Sequence, residues 1–257
     1  MSGLIQLEID NRIARVIMNR PEKRNALNDE MVAELSNAFT SVINNKQVKV
    51  VILEGSGTAF CAGADLAYLQ KLQKNSFEEN HVDSTKLMEL FKTILSFPKV
   101  VIAKVSGAAI AGGCGLATVC DFCFAEPDST FAYTEVKIGF VPAIVMVFLS
   151  KKIGEGKARD LLLSGRLIHA AEAHEMGLIS KVIEKNNLDT YVSDFATKLI
   201  TKNSADSMRL IKEMMFNMPS NYTEALEYAA LTNAKARATD DCKRGIASFL
   251  NKENIEW

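Results

Sequence analysis

VVIAKVSGAAIAGGCGLATVCDFCFAEPDSTFAYTEVKIGF, residues Val100 to Phe140, is the stretch from which the fold can be read. It opens on an apolar, β-branched run, Val100 to Val105, the signature of a strand buried on both faces. Ser106 to Gly115 follows, almost all small residues. Gly112, Gly113 and Gly115 together cost backbone entropy, which points to a close approach that only glycine allows. Leu116 to Cys120 then reads as a short apolar helix. A glycine-rich turn feeding a helix leaves N–H groups free at the positive end of the helix dipole. Such a place suits an anion, or an oxygen that becomes one during a reaction. Tight helix–strand packing would produce the same pattern, and this stretch alone does not separate the two.

Working outward, Val48 to Leu53 reads as another buried strand. It runs into Gly55-Ser-Gly-Thr-Ala-Phe60-Cys-Ala-Gly-Ala64-Asp65-Leu66, again strand, small residues, then helix. Two such units say more than either alone. On the other side, Glu135 stands in an apolar neighbourhood just after a strand at Thr130 to Tyr133. Burial would raise its carboxyl pKa toward the range useful for general acid–base work. A helix-initiating glutamate paired with Lys137 is the plainer alternative.

The remaining elements are conventional. Leu4 to Asp10 and Arg12 to Met18 alternate as a hairpin around Asp10-Asn11. Arg20 to Leu27 is a loop with three basic residues. Asn28 caps a helix that keeps Met31, Leu35, Ala38, Phe39 and Val42 on one face to about Asn45. Glu78 to Phe97 is a helix stopped by Pro98. Asp121 to Ala125 is a strand, the pattern is mostly helical from Pro142, and Gly177 to Ile183 is the last strand. Beyond Asn187 come helices with breaks near Asn203, Pro219 and Asp240.

The chain has 257 residues, 48% hydrophobic and 24% charged, with a net charge of −1. One sizeable core is possible and disorder is not indicated. That charge argues against a dominant nucleic-acid or membrane surface. No apolar run approaches membrane-spanning length, and no leader-like start is visible, so a cytoplasmic protein is expected. Cys120-Asp-Phe-Cys123 fits C-x-x-C, but no second pair follows at metal spacing, and core thiols are the simpler reading. Dinucleotide and Walker patterns are incomplete. With only His81, His169 and His174 available, a Ser–His–Asp triad has little support.

Five stretches, in order, carry a resemblance to the crotonase superfamily of enoyl-CoA hydratases and isomerases. They are Arg20 to Leu27, Phe60 to Leu66, Ala111 to Asp121, Phe131 to Gly139 and Gly165 to Leu178. The resemblance implies an α/β fold, a core of ββα turns wound into a spiral over residues 1–195. A C-terminal helical region, 196–257, would build homotrimers or homohexamers. It implies an acyl-CoA thioester substrate and no metal or redox cofactor, CoA being part of the substrate. The N–H groups of Ala62 and Gly112 would form the oxyanion hole, with Gly113 and Gly115 beside it. Lys23 and Arg24 match a segment that lies along the CoA pantetheine and phosphates, Asp65 and Leu66 fall where its adenine end is held, and Ala26, Ala64, Gly113 and Gly115 would also bind the substrate or CoA.

One departure matters. Many hydratases of the superfamily carry two glutamates around the reacting water. Glu135 matches one, and the other would fall at Gly115. A single glutamate resembles the double-bond isomerases, yet the wording around Gly115 and Glu135 is most similar to bacterial methylglutaconyl-CoA hydratase-type members. The expectation is therefore a hydratase with Glu135 as its acid–base group. An enoyl-CoA isomerase is the alternative, and a non-catalytic acyl-CoA- or RNA-binding scaffold a more distant one. Met146 and Phe148 could line the acyl pocket or belong to the core.

Overall fold

A computed structural model describes residues 3–251 and 253. The chain begins with the expected hairpin, β1 (Ile5–Asp10) against β2 (Ile13–Met18). Its turn is Asn11-Arg12, both at positive φ (48° and 66°), as a two-residue hairpin requires. Asp-Asn is the stronger turn signal in the sequence, which is why the turn reads one residue early there. Asn28 caps α1 (Asp29–Ile43), its side chain accepting from the Met31 N–H.

From there the chain repeats one move. β3 (Val50–Gly55), β5 (Val100–Val105) and β7 (Phe122–Ala125) join β2 in a parallel sheet, ordered β1-β2-β3-β5-β7-β10, with β10 being Lys181–Val182. The strand that follows each goes instead to a second sheet. Thus β4 (Ala59–Cys61), β6 (Ala108–Ile110) and β8 (Thr130–Ala132) run parallel there, closed by antiparallel β9 (Ile168–His169). Each pair then enters helical structure. β4 leads to α2 (Leu66–Leu72) and α3 (Phe77–Leu95), β6 to α4 (Gly112–Val119), and β8 to a 3-10 turn (Glu135–Ile138) and α5 (Ala143–Ile153). This is the spiral of ββα turns. α6 (Glu155–Ser164) and α7 (Ala170–Glu175) complete it.

The parallel sheet is covered on both faces, as its continuous apolar strands require. Val101, Ala103 and Val105 face the main core, with Phe39, Phe91 and Leu116. Val100 and Ile102 face a second cluster with Val50, Ile52 and Phe124, closed by Leu188, Val192, Ala196 and Ile200 of α8 (Leu188–Lys202). At that sheet's polar end Arg15 of β2 pairs with Glu54 of β3 at 3.1 Å, and Lys104 of β5 bridges Glu54 to Asp189 of α8.

Three local expectations change. Ala108–Ile110 is a strand, invisible in the sequence because three small residues carry no period. α4 begins at Gly112, not Leu116. Glycine is a poor helix former, but this helix has neighbours too close for side chains. A Cβ on Gly113 would stand 2.3 Å from the Cys61 carbonyl oxygen. The strand expected over Gly177 to Ile183 shrinks to β10, because the Leu178 and Ile179 N–H groups donate to the Ala173 carbonyl and close α7 instead.

The tail is helical with the expected breaks: α9 (Ala205–Asn217), α10 (Tyr222–Ala238) and α11 (Asp240–Asn251) follow α8. The division expected after residue 195 falls within α8. Lys212 of α9 donates to the Lys99 carbonyl at 2.9 Å and pairs with Asp121 at 2.5 Å. Among the described residues no helix is long and apolar enough to cross a membrane.

The Arg20–Leu27 loop is held by a residue that no motif singles out. Asn25 is fully buried at φ 55°. Its Oδ1 accepts from the Arg20 N–H at 2.8 Å, and its Nδ2 donates to the carbonyls of Ser56 and Ala59, both at 2.9 Å. The loop is thereby tied to the β3–β4 connection. Asn25→Ala strands two buried carbonyls and one N–H. It should lower the unfolding free energy by about 2–4 kcal/mol, read by urea denaturation; a loss under about 1 kcal/mol would show that the loop is held elsewhere.

Candidate active site

The first small-residue turn, Phe60 to Asp65, runs between the Arg20–Leu27 loop on one side and β6 on the other. Its hydrogen bonds alternate. The Ala62 N–H donates to the Arg24 carbonyl at 3.0 Å, the Gly63 carbonyl accepts from Leu27 at 2.7 Å, and the Asp65 N–H donates to the Leu27 carbonyl at 2.8 Å. The expectation that Ala62 supplies an oxyanion donor therefore fails, because its N–H is spent on Arg24. The Ala64 N–H points the other way, toward the side where β6 runs into α4. Among the described residues it has no acceptor.

The second turn is bent by Ala111, at φ 51° and ψ −121°. That conformation costs a residue with a side chain on the order of 1–3 kcal/mol. It is fixed by the Ala111 N–H donating to the Ala132 carbonyl at 2.7 Å. The first α4 N–H to find a carbonyl is that of Gly115, to Ala111 at 2.9 Å. Those of Gly112, Gly113 and Cys114 have none among the described residues, as the first turn of a helix dictates. The two turns touch: a Cβ on Gly63 would stand 3.0 Å from both the Ala111 Cβ and the Ile110 carbonyl oxygen. At the far end of α4 the Lys152 ammonium donates to the Thr118 and Cys120 carbonyls at 2.7 and 3.1 Å, a cation at the negative end of the dipole.

Glu135 begins the 3-10 turn after β8 and is 9% exposed. Its Oε2 is buried with no hydrogen-bond partner among the described residues. No ion pair with Lys137 forms there, so the plainer alternative for this residue is not met. A buried carboxylate oxygen without a partner is rare in a folded protein, where satisfied polar groups are the rule. Burial raises its pKa, and its own backbone N–H offsets only part of that. It lies near enough to α4 that its charge contributes to raising the Cys114 thiol pKa.

Gly115 faces a wall. A Cβ there would stand 2.6 Å from the Val145 Cγ1 and 3.1 Å from the Phe91 Cζ. A second carboxylate at this position has no room unless Val145 moves. Phe148 packs on Phe91 at 5.3 Å and belongs to the core, whereas Met146 is 44% exposed.

The remaining candidates divide. Lys23 and Arg24 are exposed on the loop and Ala26 is buried beneath them. Leu66 is 78% exposed at the start of α2. The Asp65 carboxylate is committed: Oδ1 accepts from the Ala67 and Tyr68 N–H groups at 2.8 and 3.1 Å, and Oδ2 from Arg20 at 2.7 Å. Burial would raise its pKa, but those N–H groups and the guanidinium outweigh burial and hold it low. Asp65 thus positions the turn, with both carboxylate oxygens already engaged. Asn25 and Arg20, missed by motif reading, are the loop's fasteners; a basic loop beside two glycine turns was the only hint. Cys120 and Cys123 are buried, and burial raises both thiols, Cys123 to about 12, as expected of core cysteines.

The raised Glu135 pKa has a sign that can be tested. A carboxyl titrating higher folded than unfolded adds stability at pH below its unfolded value, near 4.5, and that contribution is lost as pH rises through the folded value. Glu135→Gln removes the buried charge. The variant should therefore melt higher than wild type above neutrality, with the gap closing toward pH 4. Melting curves that stay parallel from pH 4 to 8 would show that Glu135 is not desolvated.

This geometry has relatives. A profile of the enoyl-CoA hydratase/isomerase family matches residues 8–257. A protein of Thermus thermophilus is 40% identical over 250 residues, 97% of this chain and 98% of its own. The crotonyl-CoA hydratase of Syntrophomonas wolfei is 34% identical over 256 residues, 98% of this chain and 97% of its own. The crystal structure of an enoyl-CoA hydratase from Mycobacterium smegmatis superposes with a TM-score of 0.94 at 29% identity, covering 100% of this chain and 99% of that one. The chain belongs to the enoyl-CoA hydratase/isomerase family.

Proposed function

We propose that the protein hydrates an enoyl-CoA thioester, with Glu135 as its acid–base group and the N–H groups of Ala64 and Gly112 as its oxyanion donors. The observation that carries this reading is the buried, unpartnered Oε2 of Glu135 beside the turns that hold those two unspent donors. The Glu135 carboxylate takes a proton from water as the water oxygen bonds to the β-carbon. The electron pair of the double bond moves toward the thioester, whose carbonyl oxygen becomes an enolate held by the two N–H groups. Those donors favour the enolate over the ground-state carbonyl, which is where rate is gained. Protonated Glu135 then delivers its proton to the α-carbon, so one carboxyl serves both steps. Its raised pKa narrows the gap between its two roles. Lys23 and Arg24 meet the CoA phosphates at the protein surface.

One carboxylate is also what a double-bond isomerase needs, removing a proton from one carbon and returning it two carbons away. The closed wall at Gly115 favours that second reading, since the other carboxylate described at the turns, Asp65, is held by Arg20 and the α2 N–H groups. A panel of 2-enoyl- and 3-enoyl-CoA thioesters separates the two, by loss of the double bond or by its migration. With the best substrate, Glu135→Gln should lose about 10²–10⁴-fold in kcat while its Kd for the thioester changes little. Turnover surviving within a few-fold would remove Glu135 from the mechanism.

We also propose that residues 196–257 assemble the chain into trimers, alone or paired. Ile211, Met215, Leu226 and Leu231 are 58%, 73%, 69% and 54% exposed, more apolar surface than a lone tail keeps wet. Tyr228, Ala229, Thr232 and Ala236 are half-buried within the chain, and the side chain of Ala225 lies outside the described residues. Light scattering at micromolar concentration should give the mass of three or six chains; a monomer would overturn this.

A further inference from the structure

Arg12, Lys49 and Lys99 each stand immediately before a strand, β2 at Ile13, β3 at Val50 and β5 at Val100. The three strands are neighbours, and their first residues are in register, Ile13 opposite Val50 and Val50 opposite Val100. Neighbouring strands lie about 4.8 Å apart, so the register sets three cations in a row. That row lies on the N-terminal edge of the sheet, opposite the edge from which β3 and β5 lead into the catalytic turns. All three residues line one cleft of about 360 Å³, with Lys46 and, from α9, Asp206 and Arg209.

Like charges in a row repel one another, and more so when partly buried. Lys49 is 4% exposed. Its Nζ donates to the Ile200 and Asn203 carbonyls at 2.8 and 2.7 Å, and the Lys99 Nζ donates to those of Val42 and Asn45, both at 2.6 Å. An ammonium has three N–H groups, so among the described residues each keeps one beyond these carbonyls. Burial, and next the charge of Arg12, lower the Lys49 pKa to about 8; burial lowers that of Lys99. Two acids of the surroundings already have partners of their own. Asp206 pairs with Arg209 at 3.6 Å, and Asp241 of α11, which partly offsets the fall at Lys49, accepts from the Ser204 hydroxyl at 2.6 Å.

We propose that this cleft binds a phosphate-type oxyanion of more than one charge, free or as part of a nucleotide. Its cations are placed by strand register, and the buried Lys49 ammonium and the half-buried Lys99 ammonium each hold, among the described residues, one N–H beyond those given to backbone carbonyls.

The test is titration calorimetry on the full chain with inorganic pyrophosphate and, separately, ADP, at fixed ionic strength balanced with chloride. Wild type should bind pyrophosphate. Lys46→Glu, a change at an exposed position of the cleft rim, should weaken binding severalfold, and Lys49→Met should weaken it further. Lys23→Ala/Arg24→Ala, at the CoA loop, should leave this binding unchanged. Equal affinity for pyrophosphate and ADP would assign the site to the bare anion, and tighter ADP binding to a nucleotide. The proposal is overturned if no heat exceeds the chloride control. It is overturned equally if Lys46→Glu binds as wild type does, or if binding is lost in the CoA-loop variant instead.

Discussion

The close approach of two backbone turns governs this molecule. Gly63 sits against Ile110 and Ala111, and Gly113 sits against Cys61, at separations where a single added carbon would collide. Each turn alone is an ordinary strand-to-helix connection. Together they leave, among the described residues, two sets of N–H groups without carbonyl acceptors. A folded protein keeps such groups unpaired only where something else is to meet them. The strained Ala111 backbone and the alternation along Ala62, Gly63 and Ala64 decide which N–H groups those are. Much of the rest works to hold these turns in place: Asn25 ties down the loop outside them, Asp65 and Arg20 fix the exit into α2, and Lys152 closes the far end of α4.

The electrostatics at the two ends of the sheet follow the same logic of unmatched charge. At the end that carries the two turns the Glu135 Oε2 is buried with no partner among the described residues, and burial raises the carboxyl pKa. At the other end the Lys49 and Lys99 ammonium groups are held by backbone carbonyls, and burial lowers their pKa values. Both arrangements cost folding free energy, and in both the imbalance makes a binding or reacting partner favourable. Pairs that serve only the fold look different. Arg15 with Glu54, and Lys212 with Asp121, are matched in place.

Much of this was legible beforehand. β5 appears at its read boundaries because an apolar run broken only by Lys104 can be satisfied only by burial on both faces. α1 shows the face spaced as Met31, Leu35, Ala38, Phe39 and Val42, and Asn28 caps it. Glu135 stood out because a carboxyl among Phe131, Tyr133 and Val136 must either be paired or be put to use. What was not legible depended on neighbours distant in the chain. β6 has no pattern of its own and is a strand because β4 and β8 flank it. α4 begins on glycines against their propensity, since Cys61 and Val145 leave room for nothing larger. Ala62 could not be told from Ala64 by composition, because the choice rests on which way each N–H points.

By itself, then, the sequence determined the order and kind of the elements, the two small-residue turns, the acidic candidate and the family they belong to. These follow from periodicity, glycine content and local chemistry, which act over a few residues. Tertiary structure alone decided which amide is spent on Arg24 and which is left over. It decided that position 115 is walled by Val145 and Phe91, and that Arg12, Lys49 and Lys99, far apart in the chain, stand side by side. Hydrogen-bond direction, steric exclusion and strand register are properties of pairs of segments, and no single stretch of sequence contains both members of the pair.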